Sequence, residues 1–382
     1  RGSSNVRILV NGKPSGLVGI SSPDALRQLQ GDLIERIEVV TNPSARYDAE
    51  GSAGIINIIL KKDQERGLHG SFTANAGFPL NYGFSGNVNY RSGKFNLFGS
   101  YGINYRENPG GGFTDRISRD TLFTYIDNDR LRSGTSHNIR FGTDFYINNK
   151  NIITASTMAR LSDELNTTNI TYFDRTEQRG LFNNTLRRDL QDGQDNNTEY
   201  ELSYRRMMNG DGHELTAQLQ YRSNTETEKS TIDSANLLLS TPLELYQRAA
   251  NEEGDQNTLI QVDYVYPFDD GKKLEAGYRG TLRTIKSEYL VEQSDALGNF
   301  FPLVNFSNQF EYNEDVHALY SIYENKMEQW GYQIGLRLEQ TNIKTFQRET
   351  DQTNTKDYLN AFPSAFLSYN MTVDKTLQAS YS

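Results

Sequence analysis

Apolar and polar residues alternate along most of the chain after residue 68, with the two-residue period of a β-strand. Between Phe95 and Tyr105, for example, large apolar positions alternate with Asn96, Ser100 and Asn104. Similar segments follow in pairs, with a repeat of roughly 45–60 residues per pair. The pattern predicts a long series of antiparallel strands joined as hairpins.

Two kinds of connection alternate between these predicted strands. Short polar turns lie at 91–94, 148–151, 209–212, 269–272, 328–331 and 372–375. Between them the sequence predicts long loops, at roughly 107–135, 165–196, 225–256, 287–311 and 344–360. Outer-membrane barrels combine short periplasmic turns with long extracellular loops, so the alternation favours a transmembrane up-and-down β-barrel. We count about thirteen strands in it.

The composition agrees with a membrane barrel better than with a soluble or disordered chain. The mean hydropathy is −0.69, yet the sequence contains 23 Tyr and 19 Phe residues. Disordered chains have few aromatic residues. In a membrane barrel only alternate residues of each strand face lipid, so low hydropathy and abundant tyrosine occur together. No apolar run approaches the ~20 residues of a transmembrane helix.

Charge and reactive residues exclude several classes of function. The net charge of −10 argues against nucleic-acid binding. The absence of cysteine excludes disulfides and thiolate chemistry. The four histidines are widely spaced, with no metal-binding motif, and no catalytic Ser, His and Asp motif is present. We therefore expect no metal, no cofactor and no enzyme activity.

The first 66 residues have a different pattern, which predicts a small α+β unit. An alternating strand at 6–10 is followed by a turn at Asn11-Gly12 and a short helix over 23–30. Strands at 34–39 and 55–60 come next. The second of these is apolar on both faces apart from Asn57, which predicts burial on both sides. The charged segment 61–67 then leads to the long strand series, so we expect two domains, 1–66 and 67–382.

The segment from 33 to 62 resembles the end of the plug domain of TonB-dependent outer-membrane receptors, in the form common among Bacteroidetes-type receptors. The motif residues are Asn42, Pro43, Ser44, Arg46, Tyr47, Asp48, Gly51, Gly54 and Asn57. The resemblance implies a receptor in the outer membrane of a Gram-negative bacterium. Such receptors import a scarce ligand by gated movement of the plug, driven by the TonB complex.

The resemblance leaves the ligand open among siderophores, haem, cobalamin, glycans and peptides, and it allows a surface lipoprotein as a partner. Plugged transporters need about 22 strands. We therefore expect the chain to contain the end of the plug and roughly the first half of an incomplete barrel. The segment that contacts TonB would lie outside it. The alternative is a surface-binding or adhesion barrel without active transport.

Two sets of residues are candidates for function. Charges on the plug rim and on the barrel wall are expected to pair with one another: Arg36, Glu38, Glu50, Arg140, Asp144, Glu275 and Arg279. Aromatic residues in the predicted loops form either a ligand-capturing surface or contacts between loops: Phe113, Tyr125, Tyr172, Phe173, Phe300 and Phe301.

Overall fold

The computed structural model describes most of the chain as two separate β-sheets. The described residues are 6–10, 13–14, 34–40, 54–60, 67–118, 122–176, 180–209, 212–239, 243–268, 271–295, 297–372 and 375–381. No helix in these ranges has the length and apolar character of a membrane span.

The first sheet has four strands in the order β2-β1-β4-β3. They are β1 (Val6–Val10), β2 (Lys13–Pro14), β3 (Ile34–Val40) and β4 (Gly54–Leu60). β1 runs parallel to β4, whereas the other two pairs are antiparallel. Val10 pairs with Lys13, and the turn predicted at Asn11-Gly12 lies outside the described residues.

The centre of β4 is buried on both faces, as its sequence predicts. Successive residues Asn57 and Ile58 point to opposite faces, and they are only 6% and 2% exposed. Asn57 donates a hydrogen bond of 2.9 Å from its Nδ2 to Glu38 Oε2, which satisfies the one polar side chain in the run. The predicted helix over 23–30 and the motif residues from Asn42 to Gly51 lie outside the described residues.

The second sheet has fourteen strands, thirteen of which are paired in chain order, as predicted. Its first half contains β5 (Gly67–Gly77), β6 (Asn81–Ser92), β7 (Phe95–Ser118), β8 (Leu122–Asn148), β9 (Asn151–Arg175), β10 (Leu181–Met207) and β11 (Glu214–Asn236). Its second half contains β12 (Leu243–Pro267), β13 (Lys272–Ser294), β14 (Phe300–Pro302), β15 (Asn308–Lys326), β16 (Trp330–Gln347), β17 (Gln352–Thr372) and β18 (Lys375–Tyr381).

All pairs of this sheet are antiparallel, and the short β14 lies off the main path against β13. Among the described residues β5 and β18 pair on one side only, so the barrel is not closed. The boundary between domains 1–66 and 67–382 coincides with the change of sheet and stays a prediction.

The predicted long loops are wrong, because most of their residues belong to strands. β7 through β13 have 23–27 residues each, and the turn at 348–351 is short. The prediction failed because apolar alternation identifies a strand only where one face is buried. Where both faces meet water, backbone pairing and β-favouring residues such as those of 167–173 form a strand without that pattern.

Gly277 allows close packing at the centre of the second sheet. A Cβ atom at this position would lie 2.5 Å from the hydroxyl of Tyr320 and 2.7 Å from the carbonyl oxygen of Val262. Because the second neighbour is backbone, the clash cannot be relieved by a side-chain rotation. Because Gly277 has no side chain, the ring of Tyr320 can pack directly against the backbone of the sheet.

We predict that Gly277→Ala destabilises the barrel by about 1–3 kcal/mol, the usual range for overpacking. Gly254→Ala is the matched control, because a Cβ there meets nothing within 4 Å. Heat-dependent gel mobility of the folded protein would measure both variants. Equal loss of stability in the two would contradict the packing role of Gly277.

Candidate functional site

The second sheet has one polar and one apolar face. We call the side that carries Arg279 and Arg337 the polar face, and the opposite side, which carries Leu202 and Leu319, the apolar face. Arg337 is 1% exposed, whereas Leu319 is 62% exposed. This is the reverse of a water-soluble protein, in which large apolar side chains are buried and charges lie in water.

In the half of the strands near the short turns, hydrogen bonds connect polar side chains of neighbouring strands on the polar face. Gln261 donates to Asp263 Oδ2 at 2.9 Å and accepts from Arg279 Nη1 at 3.0 Å. The hydroxyl of Tyr320 donates to the same Asp263 carboxylate. These contacts join β12, β13 and β15 side by side, so charges that would be costly alone are buried in a connected network.

Further along the same strands, the polar face carries ion pairs. The carboxylate of Asp255 lies between two guanidinium groups, 3.5 Å from Arg222 Nη2 and 3.0 Å from Arg283 Nη2. Arg160 Nη1 lies 3.7 Å from Asp195 Oδ2 on β9 and β10. All three ion pairs cross from one strand to the next and therefore stabilise the register of the sheet as well as neutralise charge.

Acidic side chains gather on the polar face in the extended part of the hairpins. Glu226 on β11 has Asp195 and Glu253 as its direct cross-strand partners. Burial raises the pKa of Glu226, and the negative charges of Asp195, Glu228, Glu253 and Glu164 raise it further. The sequence pattern does not reveal this patch, because most of its members fall in segments that it predicts as loops. The strand register would have revealed it.

Aromatic rings line the apolar face near the short turns. His213 contacts Tyr264 and Tyr266, with ring centroids 5.6 and 5.0 Å apart. Further contacts of this kind are Phe95 with Phe145, Tyr323 with Tyr332, and Trp330 with Tyr369. Such a row is typical of the aromatic girdle at a membrane–water interface.

The six candidate aromatic residues divide between the two faces. Residues two apart on a strand share a face, which puts Phe113, Tyr125, Phe173 and Phe300 on the apolar face and Tyr172 and Phe301 on the polar face. Tyr125 packs between Phe113 and Phe173, with centroids 6.0 and 5.9 Å away. Phe300 packs on Tyr246 and under the guanidinium of Arg248. These four rings therefore contact neighbouring strands.

The candidate charges of the first sheet have partners within that sheet. Arg36 pairs with Glu35 and Glu38 at 2.7 and 2.9 Å. Glu50 lies outside the described residues.

The candidate charges of the second sheet likewise have partners close by. Arg140 lies over the ring of Phe98, and Asp144 accepts hydrogen bonds from Asn96 and Thr154. Glu275 pairs with Lys273 at 2.8 Å, and Arg279 donates to Gln261. Pairing between plug and wall stays a prediction.

Within the described part of the chain, no group of three or more His, Asp or Glu side chains is placed to hold a metal ion. The candidate site is the polar surface of the second sheet.

Comparison with known proteins assigns the environment of the two faces. Residues 206–382 match the outer membrane protein beta-barrel family. This part of the chain is therefore similar to outer-membrane β-barrel proteins. The localisation is therefore the outer membrane of a Gram-negative bacterium, with the apolar face toward lipid and the polar face toward the interior of the barrel.

Solved structures agree with this fold. The siderophore receptor PiuA from Acinetobacter baumannii superposes with a TM-score of 0.59 at 11% sequence identity, over 98% of this chain and 56% of the receptor. The chain thus spans little more than half of that receptor's length.

Two other receptors match with lower scores. The ferric yersiniabactin uptake receptor FyuA from Yersinia pestis superposes with a TM-score of 0.37 at 11% sequence identity, over 98% of this chain and 76% of the receptor. The ferric citrate transporter FecA superposes with a TM-score of 0.28 at 11% sequence identity, over 96% of this chain and 74% of the transporter. Of the three, PiuA supports the barrel fold.

The hydrocarbon core is crossed by about ten residues of a tilted strand. Strands of 23–27 residues therefore extend well beyond it. With short turns on the periplasmic side, the extended halves form a β-structured wall outside the cell. The acidic patch around Glu226 lies on the interior side of that wall.

We predict that Leu202→Arg destabilises the barrel by about 2–4 kcal/mol, because it brings a charge to the lipid side of β10. Ser203→Arg, one residue along on the polar face, is the control and should cost far less. Urea unfolding in liposomes, followed by the fluorescence of Trp330, would measure both, since Trp330 is the one tryptophan of the sequence. A smaller cost for Leu202→Arg than for Ser203→Arg would contradict the assignment of faces.

We also predict a pH-dependent effect of Glu226→Gln. The raised pKa means that the folded state binds the proton of Glu226 more tightly than the unfolded chain does. Folding is thus favoured below the unfolded pKa, and this advantage is lost as the pH rises through the folded pKa. Glu226→Gln should stabilise the barrel by about 0.5–1 kcal/mol at pH 8, a modest amount because solvent screens the site.

The gain from Glu226→Gln should vanish near pH 4, where Glu226 of the native protein is protonated as well. Thermal denaturation in detergent across this pH range would follow it. Glu252→Gln, at an exposed position of β12 on the apolar face, is the control for replacing a glutamate outside the patch. A pH-independent gain would point to a cause other than the charge of Glu226.

Proposed function

We propose that this protein is a TonB-dependent outer-membrane receptor that imports a scarce ligand. The observation that carries the proposal is the continuous polar face, which runs from the membrane-spanning halves of the strands into the extracellular hairpins. A surface of this kind gives a polar solute a water-compatible path along the interior of the barrel. The superposition on PiuA, a siderophore receptor, supports the same assignment at the level of the fold.

In this proposal the ligand first contacts the interior side of the extended hairpins. Polar side chains there are already positioned by hydrogen bonds between neighbouring strands. Asp174 accepts from Thr124 at 2.7 Å and from Asn183 at 2.9 Å, and Asn183 in turn accepts from Asn236 at 2.7 Å. Since such a network links three hairpins, it gives the mouth of the barrel a defined shape before the ligand arrives.

Two of the six candidate aromatic residues, Tyr172 and Phe301, share this interior side and remain candidates for ligand contact. Aromatic rings can pack against the flat apolar faces of many ligands, and the surrounding carboxylates and amides offer hydrogen-bond acceptors. Siderophores, haem, cobalamin, glycans and peptides all stay within the proposal.

The four-stranded sheet would be the end of the plug, and its movement would open the path. Exposed charges such as Arg36 can exchange their partners at low cost, because ion pairs in water contribute little stability. We propose that pairing of the plug charges with wall residues such as Arg140, Asp144, Glu275 and Arg279 holds the closed state. A TonB complex would supply the energy, and a surface lipoprotein would be a partner in capture.

The test is energy-dependent uptake by cells that express the full-length protein. A panel of radiolabelled ferric siderophores, haem, cobalamin, oligosaccharides and peptides would be offered with and without a protonophore. We expect at least one compound to accumulate only in expressing cells, and the protonophore to abolish its accumulation. A compound that binds expressing cells equally with and without the protonophore would favour the surface-binding alternative.

A further inference from the structure

The apolar face of the second sheet contains a groove of about 460 Å³ across β12, β13, β15 and β16. Its floor is made by Ala276 and Ser321, which are direct cross-strand partners and carry two of the smallest side chains. On its two sides stand larger residues of the neighbouring strands, among them Val262 and Leu338. Two small residues side by side thus leave a depression in a wall of large apolar side chains.

A polar pair stands next to this groove. The hydroxyl of Tyr278, a lining residue, shares a hydrogen bond of 2.7 Å with Nδ1 of His317, and the two rings stack with centroids 6.2 Å apart. The hydroxyl lies over Gly280, where a Cβ atom would come within 2.5 Å of it. Because Gly280 lets the ring of Tyr278 lie along the sheet, the ring borders the groove and does not fill it.

A second Tyr–His pair lies at the same height on the apolar face. It has a different neighbour, so the two pairs can be compared to isolate the effect of the groove. Tyr101 shares a hydrogen bond of 2.9 Å with Nδ1 of His137. Tyr101 and Tyr278 are each the seventh residue of their strands, β7 and β13. Beside Tyr101, however, the ring of Phe141 stands on the wall, 56% exposed. Both Tyr–His pairs thus face the membrane at the same level, and the groove lies beside the pair that contains Tyr278.

The position of the groove determines what can occupy it. Its floor lies at the fifth residue of β13, within the roughly ten residues that cross the hydrocarbon core. Only lipid chains and other membrane-embedded apolar groups reach this surface. The lining is largely apolar, and the Tyr278–His317 pair offers hydrogen-bond donors and acceptors toward the extracellular end. An acyl chain with a carbonyl group at its polar end combines these two properties.

We propose that this groove is a binding site for one ester-linked acyl chain of a membrane lipid, whose carbonyl oxygen accepts a hydrogen bond from the Tyr278–His317 pair. The bound lipid completes the packing of the wall where Ala276 and Ser321 leave it thin. The site is on the outside of the barrel and is independent of the imported ligand. A failed test of this lipid site would therefore leave the proposed transport function unaffected, and a failed test of transport would leave the lipid site unaffected.

The test uses the full chain in proteoliposomes of phosphatidylethanolamine and phosphatidylglycerol, with a fraction of phosphatidylethanolamine that carries a diazirine in one acyl chain. After irradiation, mass spectrometry of peptides would locate the adducts. We expect several-fold more adduct on the groove peptides than around Ala155, which lies at the fifth residue of β9 on the same face. Equal adduct at the two places would show ordinary lipid contact only and overturn the proposal.

Filling the groove provides the decisive comparison. The double variant Ala276→Leu/Ser321→Leu should lose the excess of adduct, whereas Ala155→Leu should leave it unchanged. Tyr278→Phe, which keeps the shape of the wall, should reduce the excess by removing the hydroxyl, and Tyr101→Phe should not. Heat-dependent gel mobility would confirm that each variant is folded. Persistence of the excess in a folded double variant, or an unchanged excess in Tyr278→Phe, would contradict the proposed site.

Discussion

The structure depends on one constraint, which is that every backbone polar group inside a membrane needs a partner within the protein. Hydrocarbon offers no hydrogen bonds, and each unpaired group costs several kcal/mol. The large sheet satisfies the constraint by pairing successive strands in long antiparallel register, such as the 23 consecutive pairs between β10 and β11. Once this pairing is fixed, successive side chains along each strand point alternately to the two faces of the sheet.

The alternation explains both the membrane surface and the polar interior. Apolar side chains that would be liabilities in water are exposed together on the lipid side, with aromatic rings near the short turns. Charged side chains that would be costly in lipid meet across strands on the other side, where they form pairs such as Arg283 with Asp255. The same register continues beyond the membrane, and it carries the polar face outward as the wall that a ligand meets first. The lipid groove and the acidic patch both follow from small departures within this regular arrangement.

The sequence predicted the part of the fold that rests on local pattern. The period-two alternation identified the strands near the short turns, and the apolar run of β4 predicted burial on both faces. The extended halves of the hairpins could not be found in this way, because both of their faces are wetted and neither needs to be apolar.

The same limit applied to the candidate site. Phe113, Tyr125 and Phe173 were recognisable as a set, but their face depends on the strand register, which emerges only when the loop is known to be a strand. The patch around Glu226 is assembled from four strands, β9 to β12, and has no signature in any one of them. Side-chain pairs between plug and wall depend on contacts far apart in sequence, which alternation does not encode.

The most direct test of the account is the environment of successive residues along β16. The sequence has no cysteine, so single cysteines can be introduced at each position from 332 to 341 and spin-labelled in proteoliposomes. Collision with oxygen reports lipid, and collision with a water-soluble nickel chelate reports water. The account predicts a strict period of two, with oxygen favoured at Ile334, Leu336 and Leu338, and lower oxygen access at Gly335, Arg337 and Glu339. Uniform access to the nickel chelate along the strand would contradict it.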